Sequence, residues 1–230
     1  MKIPYFQKFS LIDYPGKISA IIFTQGCNFR CPYSHNPELV NPELFTETLE
    51  EEAIFSFLRK RKNKLDAIVI TGGEPTLQPD LMEFVEKIKE MGYLVKLDTN
   101  GSNPGLLRKL INRALVDYVA MDIKTTLEKY PKVARVNICT EKIKESIEII
   151  LGSDIDYEFR TTVVKPLLEI DDLIGIAELI KGAKKYVIQK FVGSKILDKT
   201  FLRNARCFSE KELNSAREKI KKYVGECVVR

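Results

Sequence analysis

A chain of 230 residues with 44% hydrophobic side chains can bury one full core but is short for several domains. Its formal net charge of +5 is spread over mixed stretches such as Glu86-Lys87-Ile88-Lys89-Glu90, and no basic motif interleaved with aromatics points to nucleic acid. The five cysteines do not form a secreted disulfide framework, no apolar run reaches membrane-spanning length, and Met1-Lys2-Ile3-Pro4-Tyr5 does not read as a signal peptide, so a cytoplasmic protein with no membrane partner is expected.

The chain reads as one domain over residues 1–230, with a lead-in over 1–17 and a tail from about 192 to 230. The lead-in is polar and ends in the turn Ile12-Asp13-Tyr14-Pro15-Gly16. Ile18 to Thr24 is a short, β-branched, apolar run, the first buried strand. It runs into Gln25-Gly26-Cys27-Asn28-Phe29-Arg30-Cys31-Pro32-Tyr33-Ser34-His35-Asn36, too rich in Asn, Gly and Pro to be regular. Thr48 to Glu51 reads as a capping box opening a helix with Ala53, Ile54, Phe57 and Leu58 on one face. That helix should end near Arg59-Lys60-Arg61-Lys62, where cations complement its dipole.

Ala67 to Thr71 is the second strand, and Gly72-Gly73-Glu74-Pro75 follows it at once. A helix over about Asp80 to Met91 stops at Gly92. Leu94 to Leu97 is a strand leading to Asp98-Thr99-Asn100-Gly101, and Leu106 to Leu115 is a helix. Tyr118 to Ile123 is a strand with Asp122 and Lys124 at its end. Thr140 should cap a helix running to Ile150. Tyr157 to Val164 is a strand carrying Arg160, about Asp171 to Lys181 is a helix, and Tyr186 to Phe191 is a strand carrying Gln189. A second capping box, Ser209 to Glu212, opens a last helix to about Tyr223. Repeated strand–helix units argue for a parallel sheet with crossover helices, and ligands of such sheets sit at the C-terminal strand ends. Cys27, Glu74, Asp98 and Asp122 should therefore line one rim. Periodicity leaves an open sheet and a partial barrel as alternatives.

Within the cysteine loop the spacing is C-x3-C-x2-S, formed by Cys27, Cys31 and Ser34. Three thiolates spaced C-x3-C-x2-C can wrap one iron–sulfur cube and leave its fourth iron open. With serine third, the residues alone also allow two buried thiols or half of another metal site. The lone histidine, His35, follows this loop, and Cys139, Cys207 and Cys227 lie outside it as packed cysteines.

Taken together, these motifs resemble the radical S-adenosylmethionine (SAM) enzymes. Within that superfamily they look most like the glycyl-radical-enzyme activating enzymes that serve anaerobic ribonucleoside-triphosphate reductase. The resemblance runs from about Asp13 to Gln189. Ser34 is the one departure from the cysteine-loop string, where the family has its third cysteine. The resemblance implies an α/β fold, a partial (β/α)6 TIM-like barrel with parallel strands. It implies a [4Fe–4S] cluster on Cys27, Cys31 and the position of Ser34, whose open iron takes SAM.

It further implies that Gly72, Gly73 and Glu74 hold the methionine amino group and that Lys124 pairs with the methionine carboxylate. Asp98, Thr99 and Asp122 belong to polar motifs at the strand ends, where the two aspartates could bind a monovalent cation or the ribose. Arg160 is a carboxylate clamp, and Asp13 lies near a substrate peptide. The implied reaction is reductive cleavage of SAM, followed by hydrogen abstraction from a glycine in a partner enzyme. A flavodoxin or ferredoxin would supply the electron. No cysteine lies between His35 and Thr71, so the inserted ferredoxin-like segment of some relatives is not expected. The alternatives are a pyruvate formate-lyase-type activase, a radical enzyme for a small molecule such as a deazapurine precursor, and, given Ser34, a non-catalytic binding module.

Overall fold

The computed structural model describes residues 1–230. Its eight strands form one sheet in sequence order: β1 (Tyr5–Ser10), β2 (Ser19–Thr24), β3 (Ala67–Gly72), β4 (Leu94–Thr99), β5 (Tyr118–Asp122), β6 (Asp156–Val163), β7 (Lys185–Lys190) and β8 (Glu226–Val229). β1 is antiparallel to β2, and every later pair is parallel. The helices are α1 (Pro37–Val40), α2 (Glu51–Lys60), α3 (Leu81–Glu90), α4 (Pro104–Asn112), α5 (Tyr130–Ala134), α6 (Thr140–Leu151), α7 (Ile170–Leu179), α8 (Lys199–Asn204) and α9 (Glu210–Ile220). The fold is the expected partial barrel, with six parallel strands in β/α succession and an extra strand at each edge. No helix is long and apolar enough to cross a membrane.

Alternation along the strands separates two cores. Ile22, Ile68, Ile70, Val95, Leu97 and Val119 face the helices in a cluster of 54 buried residues. The opposite, inner face holds a cluster of only six: Tyr14, Ile21, Ala67, Val69, Tyr118 and Ala120. Six side chains fill only the N-terminal half of the interior. The C-terminal half is therefore left to the polar residues that come next along the same faces.

Several local expectations needed revision. Thr48 does not cap α2. The Leu49 N–H donates to the Ile3 carbonyl at 2.8 Å, which keeps this stretch extended, and the helix begins at Glu51. Thr140 is the first residue of α6, and Cys139 is its cap position. α4 starts two residues earlier than expected, where Asn103 accepts from the Leu106 N–H and Pro104 presets the first turn. The Ser209 capping box forms as read, with Glu212 answering the Ser209 N–H. The lead-in contains β1, and the tail contains α8 and β8, three elements the sequence pattern did not signal.

Candidate active site

The two ends of the sheet differ in kind. The register pairs Ser10 with Ser19 and Tyr5 with Phe23, so the β1–β2 turn lies at the N-terminal end of the parallel strands. There Tyr14 packs its ring 5.7 Å from that of Tyr118 and plugs the interior. Asp13 belongs to this plug, where it accepts from the Ser10 hydroxyl. It is set apart from the cavity at the other end by the length of β2, six residues or about 20 Å. The structure therefore does not bring Asp13 to the rim with the other candidates.

The remaining candidates converge. Cys27, Cys31, Ser34, Gly72, Gly73, Glu74, Asp98, Thr99, Asp122, Lys124 and Arg160 all line one cavity at the C-terminal strand ends. Five sequence-distant segments thus supply one site, as expected for a parallel sheet.

The cysteine loop is fixed by the protein on several sides. The Gly26 N–H donates to the Leu39 carbonyl at 2.8 Å, and the Glu74 N–H donates to the Gly26 carbonyl at 2.8 Å. The Arg30 N–H donates to the Ala134 carbonyl at 2.8 Å, while its guanidinium donates to the carbonyls of Cys27 and Phe29. The chain after β7 closes over the loop. Leu197 N–H donates to the Ser34 carbonyl at 2.9 Å, and Asp198 N–H donates to the Pro32 carbonyl at 3.0 Å. His35 is taken up by the same segment, with its Nε2 2.8 Å from the Val192 carbonyl and its ring stacked on Phe191.

Burial pushes the Cys27 thiol up to about 11, and burial likewise raises Cys31, against the pull of the nearby Lys124 ammonium. Without a positive partner these sulfurs stay protonated, and a metal ion is the ligand that would draw both protons off.

Glu74 ties the ends of β3 and β4 together. Its Oε1 accepts from the Thr76 N–H, the Thr76 hydroxyl and the Thr99 hydroxyl, and its Oε2 accepts from the Asn100 N–H at 2.6 Å. Burial raises its pKa, and these donors work against that rise. Oε1 is saturated, while Oε2 retains a lone pair.

Across the cavity stands a chain of charges. Arg160 donates from Nε to Asp122 Oδ1 at 2.8 Å and from Nη1 to Asp98 Oδ2 at 3.3 Å. Lys124 Nζ donates to Asp122 Oδ2 at 3.0 Å, and Lys96 Nζ donates to Asp98 Oδ1. Burial opposes charge on both carboxylates, but Arg160 with Lys96 holds Asp98 below its ordinary range, and Arg160 with Lys124 holds Asp122 far below. Burial also opposes charge on the cations, yet Asp122 keeps both Arg160 and Lys124 protonated. Every oxygen of Asp98 and Asp122 already has a protein cation. The groups with spare donors beside them are Arg160 and Lys124, so the cluster presents positive charge to an anion.

Lys96 was not among the candidates. It sits two residues before Asp98 and is 2% exposed, its ammonium 5.8 Å from the Tyr118 ring centre. Period-two alternation from Asp98 would have placed it on the same inner face. Thr162, two residues after Arg160, lines the cavity for the same reason.

Residues 21–180 match the family model of the Radical SAM superfamily. A Methanocaldococcus jannaschii protein whose name assigns it to the glycyl-radical enzyme activating enzymes is 38% identical over 229 residues, covering 96% of this chain and 92% of that one. The pyruvate formate-lyase-activating enzyme of Clostridium pasteurianum is 32% identical over 127 residues, 54% of this chain and 52% of that one. Among solved structures, Streptococcus suis SuiB bound to its precursor peptide SuiA superposes with a TM-score of 0.67 at 11% identity, covering 91% of this chain and 48% of that one, a likeness of fold.

Proposed function

The chain belongs to the radical SAM superfamily, and from that premise we propose that it is an activating enzyme that generates a glycyl radical on a partner protein. Enzymes of this superfamily use a [4Fe–4S] cluster and SAM. The observation that carries the reading is the single cavity gathering eleven of the twelve expected residues. The 38% identity over 92% of a relative named for this activity supports the narrower class. Anaerobic ribonucleoside-triphosphate reductase is the proposed partner, on the Asp13-Tyr14-Pro15-Gly16 string and the absence of cysteine between His35 and Thr71. A flavodoxin or ferredoxin is the proposed electron donor, and the cytoplasm the proposed location.

The donor chemistry fits the cluster. Two thiols and one hydroxyl on a single prearranged loop face an open cavity, and the neighbouring Lys124 and Arg160 favour an anionic assembly. Cys27 and Cys31 would hold it, with Ser34 at the third loop position. When bound, the cluster supplies the electron that splits the carbon–sulfur bond of SAM into methionine and a 5′-deoxyadenosyl radical.

The chain's own residues bind and orient. Lys124 Nζ and Arg160 Nη2 would receive the methionine carboxylate, a reading supported by Asp122 and Asp98 holding their other donors. Glu74 Oε2 and the Gly72–Gly73 backbone would receive the amino group, Oε2 having a lone pair beyond its bond from the Asn100 N–H. Thr99 acts through Glu74, to which its hydroxyl donates at 2.7 Å. The Leu197 and Asp198 contacts hold the Pro32–Ser34 end of the loop in place.

Anaerobically reconstituted, reduced protein given SAM should release 5′-deoxyadenosine and methionine in equal amounts. A sample carrying a full cluster that releases neither would remove the reading.

A further inference from the structure

We propose that Lys96 is a positioning residue: from behind the cavity wall it makes the chain of charges net positive and leaves Arg160 free to meet a carboxylate. The proposal rests on the functional reading above and deepens it, since it names what sets the preference of the site for the carboxylate end of SAM.

Lys96 stands on β4 two residues before Asp98. It is 2% exposed and does not itself line the cavity. Its ammonium donates to Asp98 Oδ1 and lies over the Tyr118 ring. In the strand register its neighbours are Val69 on β3 and Tyr118 on β5, both members of the small inner core. A lysine thus occupies a place in an apolar layer.

Stability does not ask for it. Asp98 already has the guanidinium of Arg160, and an ammonium taken out of water costs more than an apolar side chain of similar volume. What Lys96 changes is the sum of charge. Arg160, Lys124 and Lys96 carry three positive charges against the two negative ones of Asp98 and Asp122, a net of +1, and without Lys96 the chain is neutral. Glu158, a further carboxylate that acts on Arg160, has Arg230 as its own partner at 3.5 Å and leaves the balance as it is. Because Lys96 is sealed from solvent, its charge is poorly screened.

The geometry shows the same division of labour. Asp122 holds Arg160 Nε at 2.8 Å, whereas Asp98, already met by Lys96, holds Nη1 only at 3.3 Å. With Lys96 removed, Asp98 would draw the guanidinium toward itself and away from a carboxylate in the cavity.

The test is equilibrium binding of two ligands: SAM, and decarboxylated SAM, which keeps the sulfonium, the amino group and the adenosine but lacks the carboxylate. The proteins are the anaerobically reconstituted natural chain, Lys96→Gln and Lys96→Gln/Asp98→Asn, compared at equal iron content, with melting curves to confirm that they fold. Lys96→Gln should bind SAM on the order of tenfold more weakly, and decarboxylated SAM no more weakly than the natural chain does. The double variant loses one charge of each sign and stays net positive, so it should recover SAM binding to within about threefold of the natural chain. Equal weakening of both ligands in Lys96→Gln, or weakening of neither, would overturn the proposal and leave the functional reading standing, since Lys96 would then be a packing residue. A double variant that binds SAM on the order of tenfold more weakly than the natural chain would overturn it as well, and this outcome decides the matter where the single variant does not fold. No binding of SAM by the natural chain would overturn the functional reading and the proposal together.

Discussion

Gly73→Ala should lower the melting midpoint by about 10 °C, while Gly105→Ala should leave it unchanged or slightly raised. A Cβ on Gly73 would stand 2.1 Å from the Gly26 carbonyl oxygen, 2.6 Å from its carbon and 2.9 Å from the Leu39 carbonyl oxygen. All three are backbone atoms, so no side chain can swing away. The same backbone carries the Glu74 N–H bond to Gly26 and the Gly26 N–H bond to Leu39, so relief of the clash breaks the seam between the cysteine loop and the β3 end. Overpacking of this kind costs about 3 kcal/mol. At Gly105 the nearest atom is the Asn103 side-chain oxygen at 4.0 Å, and the residue lies in a helix where alanine is preferred. The family resemblance gave Gly73 a role in holding the methionine amino group. The structure adds that its first neighbour is the cysteine loop itself. Thermal melts of the two variants check this before any cofactor is loaded.

Arg160→Met should have a similarly large effect, about 3–5 kcal/mol near neutral pH, because it leaves two partly buried carboxylates facing each other without their shared cation. Asp98 keeps Lys96 and Asp122 keeps Lys124, but both lose the guanidinium that bridges them. The sign with pH follows from the direction of the shifts. In the natural chain both carboxylates titrate below their ordinary range. Their contribution is therefore present above the unfolded value near 3.8 and is lost as pH falls toward the folded ones. Without Arg160 the folded values rise. The variant should thus recover stability relative to the natural chain as pH falls toward 4. Arg160→Lys should restore little, since one ammonium cannot span the Nε and Nη1 contacts at once. Denaturant titrations of the three proteins at pH 7 and pH 4.5 measure this, and a gap that widens on acidification would contradict the charge-chain account.

Much of the site was legible because parallel sheets turn sequence pattern into position. Gly72 to Glu74, Asp98, Asp122 and Lys124 each follow an apolar strand, and the fold carries them to one rim. Residues whose signal depends on alternation within a strand were harder to see. Lys96 reads as an ordinary polar residue in Leu94-Val95-Lys96-Leu97 until the inner face is known to be charged near its top. Asp13 is the opposite case: its motif was legible, but its end of the barrel is set by the antiparallel pairing of β1, which a polar lead-in did not announce. The Thr48 capping box failed because a backbone bond from Leu49 to Ile3, between segments 46 residues apart, outweighed a local signal.

The most direct measurement is hydrogen transfer from the partner. The reduced, cluster-loaded chain is mixed with SAM and an anaerobic ribonucleotide reductase whose glycines carry deuterium at Cα. The account predicts one deuterium in the released 5′-deoxyadenosine and a stable organic doublet in the EPR spectrum of the reductase. Unlabelled 5′-deoxyadenosine, with no doublet on this partner or on a pyruvate formate-lyase tested alongside, would contradict the assignment of the chain as a glycyl-radical activating enzyme.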